Sequence, residues 1–209
     1  MKNYLPVRSL RSAAVAGSTA FCLSTSLFVA LAAPFGGAVY TTDSAGAAVN
    51  ENIFNGASAV YLNGGPNNAN SSGLPANEVF YFEVTDPSGK TLLSKDTAAC
   101  RQVTTDGNGR VSGVLADPAC SSLHSTGTTD AANGGLPVKL APFNQTPNGG
   151  GEYKVTLVRK NAPGVSVEDD GRTLDYPRSA SKSDNFKVMN YTDDGGSGGN
   201  TGGDPNTNT

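Results

Sequence analysis

The chain contains no tryptophan and, in 209 residues, a single histidine, His124. With one imidazole available, a zinc site built from several histidines is excluded, and a Ser-His-Asp triad would have to use His124 as its base. The motifs HExxH and GxxxxGK[ST] are absent, and no GxGxxG lies between a predicted strand and a predicted helix. We therefore expect no catalytic residues of these classes, no resident cofactor and no resident metal.

The sequence has one long apolar stretch, residues 13–33, near the N-terminus. It follows a segment with three basic residues, contains no acid, and ends in the small-residue pattern Ala30-Leu31-Ala32, where a signal peptidase can cut. Its Gly, Ser and Thr content makes it too polar for a good membrane span. Residues 1–32 are predicted to be a signal peptide, so the protein is expected to be secreted, periplasmic or on the cell surface.

Positive charge is in deficit once that segment is removed. Residues 1–32 hold three of the fifteen basic residues and none of the eighteen acidic ones, which leaves a net charge of about −6 for the remainder. Nucleic acids and anionic membranes both require clustered Lys and Arg. The predicted partner is therefore an unidentified extracellular ligand or surface protein, with no nucleic acid and no membrane span after the signal peptide is removed.

Cysteine occurs three times, and Cys22 is expected to be lost with the signal peptide. Cys100 and Cys120 remain, and an even pair in an oxidising compartment predicts one disulfide bond. Such a bond would close a loop of about 21 residues and stabilise the fold by about 3 kcal/mol on the chain-entropy estimate. A redox or metal-binding pair would instead require close spacing or neighbouring histidines.

No segment sustains the three-to-four residue spacing of an amphipathic helix, whereas apolar residues alternate at period two between turn signals. The turns Asp86–Gly89 and Asp106–Gly109 predict two hairpins. Residues 78–84 are apolar on both faces for most of their length, which indicates a strand covered on both sides. The predicted strands are residues 37–41, 58–62, 78–84, 91–93, 101–105, 110–115, 136–140, 152–158 and 185–189.

This pattern predicts an all-β domain over residues 37–191, an immunoglobulin-like or prealbumin-like sandwich of about seven to nine strands. The Gly-rich, polar residues 121–135 and 161–184 are expected to be surface loops, and the run Gly64–Asn68 is expected to be a loop as well. Residues 192–209 are almost entirely Gly, Asn, Asp, Thr, Ser and Pro, a composition that predicts a disordered tail or linker.

Three phrases carry a resemblance: GGPNNANSSGLPANEVFYFEVTDPSG, the stretch between the two cysteines, and LAPFNQTPNGGGEYKV. Residues 39–160 resemble an uncharacterised domain of secreted bacterial proteins. The pattern VTTDGNGRVSG is similar to the strand-turn-strand of prealbumin-like and Cna-B-type surface modules. Both resemblances imply a sandwich fold in an extracellular structural or binding unit, with no assigned activity.

Cna-B-type modules often carry a core isopeptide bond from a lysine to Asn or Asp. Three lysines, Lys139, Lys154 and Lys187, lie between apolar neighbours in the predicted strands. Strand alternation turns them away from the apolar face, so no isopeptide bond is expected.

Two candidate sites remain. His124 is expected to be an exposed loop histidine beside the disulfide, unless it belongs to an unrecognised catalytic site. The acidic residues Glu168, Asp169, Asp170 and Asp175 could supply oxygen ligands to calcium, but a solvated acidic loop is the favoured interpretation. The leading functional hypothesis is a non-enzymatic structural, adhesive or ligand-binding module. The alternatives are a hydrolase or enzyme-accessory domain acting through the loops, and a calcium-stabilised extracellular module.

Overall fold

A computed structural model describes residues 33–192 of the chain, except 48, 49, 67, 69, 116, 121 and 131–133. The described part is all-β, and its only helical elements are four single 3-10 turns. None of its helices is long and apolar enough to span a membrane. The predicted signal peptide and the predicted tail beyond Thr192 lie outside the described residues, as does Cys22.

Eleven strands are present in the described part of the chain. Nine of them form two sheets, one of three strands in the order β1-β3-β7 and one of six in the order β2-β11-β8-β4-β5-β6, while β9 and β10 form a separate hairpin. The strands are β1 (Ala38–Thr42), β2 (Ile53–Phe54), β3 (Tyr61–Gly65), β4 (Val79–Thr85), β5 (Gln102–Thr105), β6 (Val111–Val114), β7 (Val138–Lys139), β8 (Glu152–Arg159), β9 (Ser166–Val167), β10 (Leu174–Asp175) and β11 (Ser181–Val188).

The two sheets bury one shared hydrophobic cluster, because each strand presents alternate apolar side chains to it. Leu62 and Val138 enter this cluster from the three-stranded sheet, and Phe80 and Phe82 of β4 enter it from the six-stranded sheet. A group of aromatic rings that includes Phe143, Tyr153 and Phe186 fills one part of it. The all-β prediction is confirmed.

The six-stranded sheet is also covered on its opposite face. Tyr81 of β4 and Val158 of β8 pack there against Leu174 and partly buried Tyr176. The prediction that residues 78–84 form a strand covered on both sides is therefore confirmed. The prediction that residues 161–184 are a surface loop is wrong, because the segment contains β9, β10 and the first half of β11.

Further strand boundaries differ from prediction: the predicted strand 91–93 contains only an isolated bridge at Leu92, and β3, β7 and β11 have other bounds than expected. β3 begins at Tyr61 and continues through Gly65, so Gly64 and Gly65 are strand residues rather than the start of a loop. Their backbone pairs with Ala38 and Val39, and this pairing does not require a side chain. β11 begins at Ser181 rather than at 185, because its polar first half pairs with the apolar strand β8.

The predicted hairpin around residues 106–109 is confirmed, with β5 and β6 antiparallel. The Asp106 carboxylate accepts hydrogen bonds from the Asn108 and Arg110 amides, each at 2.9 Å. Gly109 has φ of +71°, and a Cβ there would stand 2.0 Å from the Leu74 carbonyl oxygen. Glycine is required at this position by both the backbone conformation and the close approach.

The sheets are joined where β1 meets β11. β2 pairs only with Lys187 and Val188 at the end of β11, and β1 lies beside the earlier part of that strand. There the Asp184 carboxylate accepts a 2.9 Å hydrogen bond from the backbone amide of Thr41, a fully buried residue. A side chain of one sheet therefore satisfies the outward-facing backbone of the other.

Candidate ligand-binding pocket

The predicted disulfide is present between Cys100 and Cys120, with a Cα–Cα distance of 5.7 Å. Each cysteine ends a 3-10 turn, Ala98–Cys100 or Pro118–Cys120, and each is buried. The bond therefore holds two loop segments together near the end of the six-stranded sheet.

His124 is buried, with 2% of its surface exposed, so the prediction of an exposed loop histidine is wrong. Its ring packs edge-to-face on Phe82, with ring centroids 4.8 Å apart. Its Nδ1 lies 2.8 Å from the backbone carbonyl oxygen of Lys139, and its Nε2 lies 3.0 Å from Oδ2 of Asp96. The prediction failed because residues 121–135 contain few apolar residues, whereas hydrogen bonds hold His124 in the interior.

Asp96 connects His124 to a second buried cation. Its Oδ1 lies 3.8 Å from Nε of Arg101, whose side chain is fully buried. Arg101 donates to the carbonyl oxygen of Phe82 at 3.0 Å and to that of Arg172. Burial lowers the pKa of Arg101, while the carboxylates of Asp96 and Glu83 act in the opposite direction. These groups form a polar cluster beneath the disulfide.

Glu83 is the other buried acid of this region. Its carboxylate accepts a 2.6 Å hydrogen bond from the Tyr176 hydroxyl. Burial raises the pKa of Glu83, although Tyr176 and Arg101 favour the ionised form. Burial and the neighbouring Glu83 carboxylate both raise the pKa of Tyr176. Tyr176 therefore remains a hydrogen-bond donor to Glu83 throughout the physiological pH range.

His124 has an acidic neighbour, as a catalytic histidine would, but both of its ring nitrogens are already hydrogen-bonded. A general base needs one nitrogen within reach of the hydroxyl it activates. The arrangement fits a positioning role for His124 and leaves no nitrogen to accept a nucleophile's proton.

A pocket of about 450 Å³ opens beside this cluster, and we name it the Lys139 pocket. Its apolar wall consists of Ala57, Leu123, Ala141, Pro142 and Phe143. Its polar wall consists of Lys95, Asp96, Ser122, Lys139, Tyr191 and Thr192. A site of this size, with an apolar wall and a few polar groups, is typical of small-ligand sites.

The charges around the Lys139 pocket are not symmetrical. Asp96 interacts with His124 and Arg101 on its inner side, so its charge is largely balanced within the protein. Lys95 and Lys139 line the same pocket. The lining therefore includes two basic residues and one acidic residue, Asp96.

The four proposed calcium ligands do not converge. Asp170 accepts hydrogen bonds from the backbone amides of Arg172 and Thr173 and from the Thr173 hydroxyl. Led by the Thr173 hydroxyl, these bonds lower the pKa of Asp170 to about 2. Glu168, Asp169 and Asp175 are exposed. Among the described residues, no three His, Cys, Asp or Glu side chains lie close enough together to hold a metal ion.

Sequence reasoning missed Asp96, Arg101 and the role of Lys139 as a pocket residue. One signal was available: Asp96 precedes Cys100 by four residues, and His124 follows Cys120 by four. A disulfide between the cysteines brings both flanking segments together, so an acid and a histidine at matched spacing can meet beside it.

No protein-family model, curated protein or solved structure matches this chain.

Proposed function

We propose that the protein is an exported, non-enzymatic β-sandwich module of the immunoglobulin-like or prealbumin-like kind, which binds a ligand in the Lys139 pocket. The observation that carries this proposal is the pocket itself, with an apolar wall and a polar wall that includes two lysines, beside a histidine whose two ring nitrogens are both hydrogen-bonded. Binding without turnover is the activity that this arrangement supports.

The lining of the pocket favours a small ligand that combines an apolar body with a carboxylate. The body would lie on Leu123, Pro142 and Phe143, and the carboxylate would lie toward the ammonium group of Lys139. Such a group occurs in aromatic acids and at the acidic or C-terminal ends of peptides. Sites of this type gain orientation from the charge and affinity from the apolar contact.

Three probes that differ only in charge test the proposal: benzoate, benzyl alcohol and benzylammonium. We expect benzoate to shift the backbone amide NMR signals of Leu123, Lys139 and Phe143 at millimolar concentration. We expect weaker shifts with the alcohol and the weakest with the amine, because only benzoate complements the Lys139 ammonium group. Equal shifts with all three probes, or shifts confined to another surface, would contradict the proposal.

A matched pair of variants sharpens the test. Lys139→Gln removes one pocket charge, and Lys154→Gln removes a partly exposed lysine from β8, outside the pocket. An attraction of about 1 kcal/mol corresponds to a roughly fivefold loss of benzoate affinity in K139Q. The affinity of K154Q should remain that of the parent protein. The same loss in both variants would show that net charge, rather than the pocket, controls binding.

A further inference from the structure

We propose that a second pocket, which we name the Lys182 pocket, binds a phosphate or sulfate ester group. The pocket has a volume of about 390 Å³ and is lined by Pro34, Phe35, Arg178, Ser179, Ser181 and Lys182. It shares no residue with the Lys139 pocket, so this inference does not depend on the function proposed above.

The charged residues of the Lys182 pocket are both basic. Among the described residues, Arg178 and Lys182 line it and no acidic residue does. Within the same part of the chain, neither side chain forms an ion pair with Asp or Glu. The one acid of β11, Asp184, instead accepts the hydrogen bond from the Thr41 amide. The pocket therefore offers two positive charges to an anion, in a protein with more acidic than basic residues.

The contact of Lys182 with Phe35 locates its ammonium group. Nζ of Lys182 lies 5.6 Å from the centroid of the Phe35 ring, which is a cation–π contact. Because Phe35 is itself part of the pocket wall, the charge of Lys182 lies at the pocket. An ammonium group has three hydrogens, so those that point away from the ring can donate to an anion.

Arg178 and Ser179 add hydrogen-bond donors of a different shape. The exposed Arg178 side chain can donate to two oxygens of one ester group through its planar guanidinium, whereas Lys182 acts as a point charge. The Ser179 hydroxyl can donate one further hydrogen bond. A phosphate or sulfate ester has three terminal oxygens, which is enough for all three side chains to bind the same group.

The elements that carry these side chains are held in place from the interior. Arg178 begins a 3-10 turn whose last residue, Ala180, is fully buried and packs on Ala162. The Ser181 hydroxyl donates a 3.2 Å hydrogen bond to the Arg178 carbonyl oxygen. Lys182 lies in β11, where it is paired with β8. The backbone of the pocket is therefore ordered before a ligand binds, which reduces the entropic cost of binding.

The apolar wall of the pocket is held as firmly. The Phe35 ring makes an edge contact with Phe80 of the core, with ring centroids 5.7 Å apart. Gly37 follows with φ of +87°, and a Cβ there would stand 2.5 Å from the Leu74 amide nitrogen. Only glycine permits this close approach, which holds the segment that carries Phe35. The body of the ligand, such as an aromatic or sugar ring, would lie on Pro34 and Phe35.

Three probes that differ in the group attached to one ring test the proposal: phenyl phosphate, phenyl sulfate and phenol. We expect both esters to shift the backbone amide NMR signals of Phe35, Ser179 and Lys182 at millimolar concentration and pH 7.5, and phenol to shift them much less. A larger effect of the phosphate would support a dianionic ester as the preferred ligand, and equal effects of the two esters would support either. Equal shifts with phenol, or ester shifts confined to the Lys139 pocket, would overturn the proposal.

Glutamine variants test the two cations separately. Lys182→Gln and Arg178→Gln each remove one charge from the pocket, and Lys187→Gln removes a lysine of the same partial exposure as Lys182 from the other end of β11, outside the pocket. We expect the affinity for phenyl phosphate to fall about three- to fivefold in K182Q and in R178Q, and to stay unchanged in K187Q.

R178Q keeps the test decisive even if K182Q is destabilised by the loss of its contact with Phe35. Arg178 is exposed, so this variant should fold like the parent protein, which its amide NMR spectrum will show. An unchanged affinity in R178Q, or the same loss in all three variants, would refute the proposed site.

The two pocket proposals can fail separately. Absence of benzoate shifts in the Lys139 pocket would refute the proposed function and would not affect the Lys182 pocket. Absence of ester shifts in the Lys182 pocket would refute this inference and leave the proposed function intact.

Discussion

Replacement of Asp184 by alanine isolates the junction between the two sheets. In the folded protein the Asp184 carboxylate is the acceptor for the backbone amide of Thr41, which is fully buried. The Thr41 hydroxyl lies 3.2 Å from the same oxygen but also 2.7 Å from the Glu51 carbonyl, so it keeps a partner in the variant. One buried N–H is therefore left without an acceptor.

The size of the effect follows from that one amide. A buried donor left without a partner costs about 1–3 kcal/mol, and hydrogen bonds to charged groups lie toward the upper part of the range. We expect D184A to lose about 2–3 kcal/mol of unfolding free energy in urea denaturation, with an unchanged m-value. In Asp184→Asn an amide oxygen can still accept from Thr41, so the loss should be about 1 kcal/mol or less.

Ser183→Ala, at the preceding exposed position of β11, is the matched control and should have almost no effect. A loss in D184A no larger than in S183A would show that the junction does not depend on this hydrogen bond. Equal losses in D184A and D184N would mean that charge, rather than the accepted hydrogen bond, is what matters.

Three other predictions concern the disulfide and the carboxyl groups of Glu83 and Asp170. Replacing Cys100 and Cys120 by serine should lower the unfolding free energy by about 3 kcal/mol in urea, and a loss below about 1 kcal/mol would contradict the loop-closure estimate. Because burial raises the pKa of Glu83, the unfolding free energy should fall as pH rises above about 4. Tyr176→Phe removes the hydrogen bond that favours ionised Glu83, so the fall should be steeper in this variant. Parallel pH curves for the two proteins would argue against the Glu83–Tyr176 hydrogen bond. The Asp170 carboxyl should titrate near pH 2 by NMR. Its hydrogen bonds within the loop should therefore stabilise the fold fully above about pH 4 and lose this effect as the pH falls below that value. A midpoint near 4 would mean that those hydrogen bonds do not form in solution.

Much of the fold follows from local patterning. Strand β4 could be predicted because Val79 to Val84 are apolar apart from Glu83, and the 106–109 hairpin because Asp and Gly occupy the turn. β2 could not be predicted: it has only two residues, and its parallel partner lies more than 130 positions later in the chain. The polar start of β11 was missed for a related reason, since its strand conformation depends on β8 and on the Asp184 hydrogen bond.

The candidate site was less accessible from sequence than the fold. The disulfide could be predicted from the number of cysteines and the expected oxidising compartment, but the pairing of Asp96 with His124 depends on how that bond arranges its flanking segments. Both residues lie in polar loops, where composition predicts exposure. Hydrogen bonds rather than apolar contacts determine their burial, and hydropathy patterns do not register such bonds.

The position of β11 bears on the timing of folding. β11, the last strand of the described chain, lies between β8 and β2 and also contacts β1. The pairing of β2 with β11 therefore cannot form until Val188 has been synthesised. Folds dominated by such distant pairings form in milliseconds to seconds, more slowly than helical bundles. A chain that folds slowly stays unfolded for longer, and an unfolded chain is what the proposed export through a translocation channel would require.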